Sequence, residues 1–236
     1  MELGQYFSQG DQIIAISADQ ASHFAKTECQ DFNPIHDPDN KRFCVPGDLL
    51  FSIALNKYGV SKSMTFNFTG MVGADMGLNF PETNEDFILI SNEKDKGVME
   101  IERAGEIEYD NAFIDALISK YVLFSGQNFP SLLMPLMKEH NVMFNPARPL
   151  VMYNSMSIEF DYFKVEGELD LVLSKAKMES EPKRATSFIY FDIVDRPNGN
   201  VIGKGVKKSV LAGLKTYDHQ AITDFANAYE ARRGAF

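Results

Sequence analysis

The chain repeats one plan twice, and this repetition restricts its possible folds more than any single residue does. In each half, an apolar helix-forming stretch is followed by several long stretches that alternate in polarity or are apolar throughout. In the first half, residues 47–57 have helical spacing, whereas residues 64–68, 86–91 and 98–107 have strand-like patterns. Runs of helix followed by runs of strand predict an α+β protein.

The second half follows the same plan. Helices are predicted at residues 111–123, 132–140 and 218–233, and strands at residues 155–163, 169–179, 185–194 and 201–211. Turns are predicted at residues 126–131, between the first two helices, and at residues 196–200, in a hairpin. The turns are predicted from their glycine, proline and asparagine residues.

No linker separates the two halves, which we place at residues 1–110 and 111–236. Each half is expected to form long antiparallel strands wrapped around one buried helix, which makes two sheets in total. The wrapped helices should be those at residues 49–57 and 132–140, because their apolar faces are too wide for a surface helix.

Residues 29–36 read Cys-Gln-Asp-Phe-Asn-Pro-Ile-His and carry the chain's clearest chemical signal. Pro34 lacks an N–H and restricts Asn33, so this segment cannot be a regular helix and should form a rigid turn. That turn would hold Asp31 and His36 in a fixed relation, and a carboxylate beside an imidazole suits general acid–base chemistry near neutral pH. The alternative is an ordinary turn, since Asp, Asn and Pro are all common turn residues.

The motif lies between well-marked elements. Residues 12–18 are apolar and β-branched, which predicts a strand, and Ser17 with Gln20 forms a possible capping box for a short helix. After the motif, Gly47 stands at the start of an apolar helix for which Gly59 is a plausible stop.

Phe24-Ala25-Lys26, the motif at residues 31–36 and Gly47 before an apolar helix resemble the MaoC-like (R)-specific enoyl-CoA hydratases, which are hotdog-fold proteins. The close resemblance covers residues 4–58, and the topology is compatible to about residue 212. The two-halved layout is similar to the double-hotdog members, in which one half keeps the catalytic pair and the other has lost it. Residues 126–131 could then be a degenerate second copy of the motif.

The resemblance implies a role for each motif residue. Asp31 would orient and deprotonate the water that attacks the β carbon, and His36 would share that water and pass a proton to the α carbon. Asn33, with Pro34, would brace the turn. The backbone N–H of Gly47 would polarise the thioester carbonyl, as the free N–H groups of a helix start can do.

The sequence departs from the family pattern at several points. Gln30 stands where the family usually has Gly, and a positive φ there would be costly. Pro46 precedes Gly47 where the hydratases have His, which is more similar to the β-hydroxyacyl-ACP dehydratases. Those enzymes carry an acidic residue five positions after the Gly, where this chain has Ser52.

The resemblance implies a hydratase or dehydratase acting on 2-enoyl or 3-hydroxyacyl thioesters of CoA or acyl carrier protein, with no metal and no cofactor beyond that carrier. A non-catalytic acyl-thioester or lipid-binding protein and a hotdog thioesterase remain open, because one fold hosts all three. Lys41 and Arg42, which could meet a carrier phosphate, and Ser52 are candidate substrate-binding residues. A monomer and a homodimer are both compatible with a double hotdog.

Composition excludes several other classes. The formal net charge of -10 and the sequence pI near 4.9 argue against nucleic acid and anionic membrane surfaces as partners. No apolar stretch approaches the roughly 20 residues of a membrane span. Two cysteines and the absence of a signal-like N-terminus indicate a reduced cytoplasmic protein. The four histidines have no metal-ligand spacing.

Overall fold

A computed structural model describes residues 1–10, 13–196 and 198–236, with the side chains of 128–130 left out. Residue 12, the first of the strand predicted at residues 12–18, and residue 197, in the hairpin turn predicted at residues 196–200, therefore lie outside the described residues. Within this part of the chain the protein is α+β, as predicted, with one ten-stranded antiparallel sheet, a two-stranded ribbon and five α-helices.

The helices are α1 to α5 in chain order, at Ala18–Thr27, Gly47–Tyr58, Asn111–Ser131, Leu133–Glu139 and His219–Ala235. The strands are β1 to β12, at Ser8–Gln9, Ile13–Ala15, Val60–Phe68, Leu78–Asn79, Phe87–Asn92, Gly97–Glu108, Val142–Met143, Val151–Phe160, Glu168–Ser180, Arg184–Arg196, Asn200–Ala212 and Lys215–Thr216. The described residues also form two short 3-10 turns, at Leu3–Tyr6 and Pro34–His36.

One sheet runs through both halves, in the order β1-β2-β4-β5-β6-β3-β8-β11-β10-β9. The expectation of two sheets is therefore wrong. The halves join where β3 pairs antiparallel with β8, for example Met64 opposite Ile158. Both residues are buried, so pairing these edges continues the apolar inner face and removes two strand edges that would otherwise be exposed.

Capping explains where the helices that flank the motif begin and end. At α1, the Ser17 side chain accepts a hydrogen bond from the Gln20 N–H and the Gln20 side chain accepts one from the Ser17 N–H, which confirms the capping box. Helix α2 begins at Gly47 and ends before Gly59, whose φ of 76° suits glycine and stops the helix.

Helix α3 is the partner of α2 in the main core. Phe51 of α2 packs between Phe66 of β3 and Tyr121 of α3, with ring centroids 4.9 and 4.6 Å apart respectively. The helix predicted at residues 132–140 exists as α4, but it packs in a second cluster with α5 and the motif residue Phe32. The sequence thus predicted the wrong helix as the buried partner in the second half.

The turn predicted at residues 126–131 is also wrong, because α3 continues through it to Ser131. Gly126 passes so close to the motif that a Cβ there would lie 1.9 Å from the Cys29 carbonyl oxygen. Glycine is therefore needed at position 126 because α3 contacts the motif closely there, and not because the chain turns. Gln127 and Ser131, the candidates for a second motif, are exposed on this helix, and the side chains at 128–130 lie outside the described residues.

Candidate functional site

The motif folds as a short turn held by its own polar side chains. Gln30 enters it with a φ of 52°, in the left-handed region that glycine adopts most readily. Asp31 Oδ1 accepts from the Asn33 N–H at 2.9 Å, and Asn33 Oδ1 accepts from the Ile35 N–H at 3.2 Å. Asn33 thereby caps the 3-10 turn that begins at Pro34. The side chains of Asp31 and Asn33 therefore both stabilise the turn.

This turn brings Asp31 and His36 together. The His36 Nδ1–H donates to the Cys44 carbonyl at 2.7 Å, which leaves Nε2 as the basic nitrogen of the neutral ring. Nε2 lies 3.7 Å from Asp31 Oδ2, and both side chains are mostly buried. That separation is too long for a direct hydrogen bond and short enough for both atoms to contact one water molecule.

Helix α5 holds the other side of the motif. The Tyr229 hydroxyl donates to Asp31 Oδ1 at 3.0 Å and accepts from the Phe32 N–H at 3.0 Å. Burial is the main cause that raises the pKa of Tyr229, so this hydroxyl stays a proton donor at working pH. Arg232 donates to the Phe32 carbonyl at 3.1 Å and pairs with Asp37. No sequence motif marks these two α5 residues, and sequence reasoning missed them.

The motif borders a cavity of about 280 Å³ between the inner face of the sheet and the starts of α2 and α4. Asp31, His36 and Gly47 all line it. Most of its wall is apolar, and this part comes from both halves of the chain: Ile35, Val45, Leu50, Phe68, Met71, Val72, Leu133, Val151, Met152 and Ile189. The structure therefore brings the three predicted catalytic residues to one largely apolar cavity.

Gly47 allows two aromatic rings to approach the start of α2. A Cβ at Gly47 would lie 2.7 Å from the Tyr153 ring and 3.2 Å from the Phe68 ring. The two rings pack on each other with centroids 4.4 Å apart. Among the described residues no side chain caps this helix, so its first N–H groups lack a side-chain acceptor where Gly47 lines the cavity.

A buried polar cluster that the sequence did not predict lies beside Gly47. It consists of Asp48 from α2, Ser125 from α3 and Lys207 from β11, and all three line the cavity. The Ser125 hydroxyl donates to Asp48 Oδ2 at 2.6 Å, and Lys207 Nζ donates to Ser125 and lies 3.9 Å from Asp48 Oδ2. Burial raises the pKa of the Asp48 carboxyl, although Lys207 and Ser125 oppose this effect.

None of the three predicted substrate-binding residues lines this cavity. Lys41 and Arg42 are exposed in the turn that follows the motif. Ser52 is fully buried, and its hydroxyl donates to the Asp48 carbonyl at 2.7 Å within α2. Cys29 and Cys44 are free thiols whose pKa values burial raises, so neither is an activated nucleophile.

The described residues, 1–10, 13–196 and 198–236, contain neither a candidate metal-binding cluster nor a helix that could span a membrane. No group of three or more His, Cys, Asp or Glu side chains there could hold a metal ion. None of the helices in that same part of the chain is long and apolar enough to cross a membrane.

Several solved structures have a similar chain course at low sequence identity. An acyl-CoA thioesterase II, TesB2, from Mycobacterium marinum matches with a TM-score of 0.45 and 10% identity, over 92% of this chain and 100% of that one. The tesB protein MAP1729c of Mycobacterium avium subs paratuberculosis gives 0.46 and 9%, over 89% and 96%. A MaoC-like dehydratase gives 0.44 and 10%, over 88% and 98%.

A search of curated proteins gave no match. A family model described as "protein of unknown function (DUF3581)" matches residues 1–220, and the chain therefore belongs to the DUF3581 family.

Proposed function

We propose that this chain is a double-hotdog enzyme that adds water reversibly to 2-enoyl thioesters, or in reverse dehydrates 3-hydroxyacyl thioesters. The observation that carries the proposal is the 3.7 Å separation of His36 Nε2 and Asp31 Oδ2 at the edge of a largely apolar cavity. In this assignment residues 1–110 form the catalytic half. Residues 111–236 form a half without its own acid–base pair.

The chemistry uses one water held between Asp31 and His36. Asp31 Oδ2 takes a proton from that water while its oxygen attacks the β carbon of the double bond. Tyr229 and the Asn33 N–H occupy Oδ1, which fixes the carboxylate's orientation. Asp31 then passes this proton to His36 Nε2, which delivers it to the α carbon, so the double bond gains H and OH and both side chains return to their starting protonation states.

Gly47 would stabilise the charge that develops on the thioester oxygen. Its N–H lies at the start of α2, where free N–H groups and the helix dipole favour negative charge. The packed rings of Tyr153 and Phe68 exclude water from this end of the cavity, which strengthens such interactions.

The cavity and its surroundings suggest the form of the substrate. A volume of about 280 Å³ is at the low end for ligand sites, which favours a short acyl chain. CoA or acyl carrier protein would carry the chain, and the exposed side chains of Lys41 and Arg42 could bind the carrier's phosphate. In this assignment the protein is a cytoplasmic monomer or homodimer and needs no further cofactor.

The test is the loss of enoyl-thioester absorbance when purified protein is added to crotonyl-CoA. The Asp31→Asn variant should lose about 10²–10⁴-fold in rate, the usual contribution of a general base. Asp39→Asn, at an exposed carboxylate in the same loop, should retain full activity. An unchanged substrate at single-turnover concentrations of protein would overturn the hydratase assignment.

Thioester hydrolysis is the second candidate. The Asp31–His36 dyad and Gly47 border one cavity, and the dyad could direct water to the carbonyl carbon instead of the β carbon. Release of free CoA thiol in the same samples, abolished by Asp31→Asn, would support a thioesterase. Saturable binding of the thioester without either reaction would identify an acyl-binding protein.

A further inference from the structure

The cluster of Asp48, Ser125 and Lys207 is not used by the reaction described so far. Its residues come from α2, α3 and β11, so it forms only where the two halves meet. Lys207 pairs across the sheet with the buried residues Met156 and Ile189, which places it on the inner face. The next residue, Lys208, packs against Phe188 on the opposite face, as strand alternation requires.

This cluster is poorly suited to a purely structural role. Buried ion pairs seldom stabilise a fold more than apolar side chains of similar size would. Here the pair is also incomplete, because Lys207 Nζ stays 3.9 Å from Asp48 Oδ2 and the Asp48 Oδ1 atom is buried without a hydrogen-bond partner in the described structure. An ammonium group kept in an apolar cavity under these conditions indicates a function.

The ammonium lies at the end of the cavity where α2 begins. Lys207 Nζ is 4.4 Å from the centroid of the Tyr153 ring, and the same ring touches Gly47. Its counter-ion Asp48 is the residue that follows Gly47 in the chain. Gly47, Tyr153 and Lys207 therefore surround one small region of the cavity.

We propose that Lys207 is a catalytic residue that donates a hydrogen bond to the thioester carbonyl oxygen beside the Gly47 N–H. Asp48 and Ser125 are positioning residues that hold the ammonium in place. A cation in a water-poor site stabilises a developing enolate more strongly than a neutral donor does. This inference rests on the proposed function and adds a second oxyanion donor to it.

The kinetic test removes the charge pair together, because Lys207→Met alone would leave Asp48 buried and unpaired. The Lys207→Met/Asp48→Asn double variant should lower kcat for crotonyl-CoA by about 10²–10³-fold, the usual cost of an oxyanion donor. Its KM should change by less than about threefold, since the interaction strengthens in the transition state. Lys208→Met, the neighbouring lysine on the opposite face, should leave both parameters unchanged.

A spectroscopic test separates this role from a structural one. Crotonyl-CoA labelled with ¹³C at the carbonyl is bound to the Asp31→Asn protein, and the carbonyl stretching frequency is measured. The frequency should fall on binding, and the fall should shrink when Lys207→Met/Asp48→Asn is added but not when Lys208→Met is added. Lys207→Arg, which keeps the charge, should retain part of the fall.

The outcomes distinguish the two proposals. If the labelled thioester does not bind saturably, the proposed function fails and this inference fails with it. If it binds with the same carbonyl frequency whether or not Lys207 is present, only the inference is overturned.

Discussion

Gln30 sets the direction in which the chain enters the motif. Its φ of 52° lies in the left-handed region, which costs a residue with a side chain about 1–2 kcal/mol. The next N–H, that of Asp31, donates to the Ala25 carbonyl at the end of α1 at 2.8 Å. The strained backbone of Gln30 therefore fixes the position of the Asp31–His36 pair relative to helix α1.

Replacing Gln30 with glycine should stabilise the protein. Gln30→Gly removes the left-handed strain, and the gain should be about 0.5–1 kcal/mol after the extra unfolded-state entropy of glycine is subtracted. Urea denaturation would measure it. Gln30→Ala keeps the strain and is the matched control, so equal stability of the two variants would contradict this account.

Because the Asp48 carboxyl is buried, the free energy of unfolding should fall as pH rises. Burial raises the pKa of the Asp48 carboxyl in the folded state above its ordinary value of 3.8, which the unfolded chain keeps. At pH values between the unfolded and the folded pKa, the folded protein therefore holds a proton that the unfolded chain has released. The corresponding stability is present at low pH and is lost as pH rises through the folded pKa. The stability of Asp48→Asn relative to the native protein should therefore increase between pH 4 and pH 7, measured by urea denaturation at several pH values. A constant difference would contradict the sign.

Sequence reasoning could predict the juxtaposition of candidate residues that lie in one short segment. Asp31 and His36 are five positions apart, and the structure brings them together as the motif implied. Lys207 could not be found in this way, because it lies in a strand beside Lys204 and Lys208 and only the register decides which lysine faces inward. Tyr229 meets Asp31 across 198 positions, a contact that no local pattern encodes.

At the scale of elements, α3 governs how closely the second half approaches the motif. Its Gly126 lies against the Cys29 carbonyl, two residues before Asp31. Gly126, Asn128 and Pro130 are turn-forming residue types, which explains the incorrect turn prediction. The packing of α3 against α2 and the motif outweighs these local preferences.

Gly126→Ala should destabilise the protein by about 1–3 kcal/mol, as overpacking does, although alanine favours a helix. The clash is with backbone, 1.9 Å from an added Cβ, so α3 or the motif must shift. Gly234→Ala in α5 is the control, since no atom lies within 4 Å of its added Cβ, and it should be neutral or slightly stabilising. Equal effects in thermal unfolding would show that the close contact is unimportant.

Helix α5 should influence the dyad through one hydroxyl group. Tyr229→Phe removes the donor to Asp31 Oδ1 and keeps the ring, so hydration should slow by about tenfold, the value of one charge-assisted hydrogen bond. The loss should appear in kcat rather than in KM, because the oriented carboxylate acts in the chemical step. Tyr109→Phe, at an exposed position, is the control. An unchanged kcat would mean that Tyr229 only packs against the motif.

At the scale of the molecule, the two halves share a sheet, a core and a cavity. Residues 63–67 of β3 pair with residues 155–159 of β8, and α2 packs on α3. The α+β class followed from the sequence because it needs only the periodicity of each segment. The single sheet did not follow, because the pairing of β3 with β8 depends on contacts about 90 residues apart in sequence, which segment patterns do not encode.

Separated halves should therefore not fold on their own. A fragment of residues 1–110 would expose the face of α2 that packs on Tyr121 and would leave Asp48 without Ser125 and Lys207. We expect no cooperative urea transition for this fragment, whereas the full chain should show one. A fragment that unfolded cooperatively would show that the first half is an independent domain.

Helix α5 also bears on how the protein responds to heat. Of its residues only Ile222 and Tyr229 are buried, with Ala221 and Phe225 packed beside them at partial burial, so a small set of apolar contacts holds the helix to the body of the protein. Segments with few buried contacts detach in local openings that leave the rest of the fold intact. Each such opening would withdraw Tyr229 and Arg232 from the motif and leave the Asp31 carboxylate free to rotate. Warming should therefore inactivate the protein reversibly at temperatures below the one at which its sheet melts.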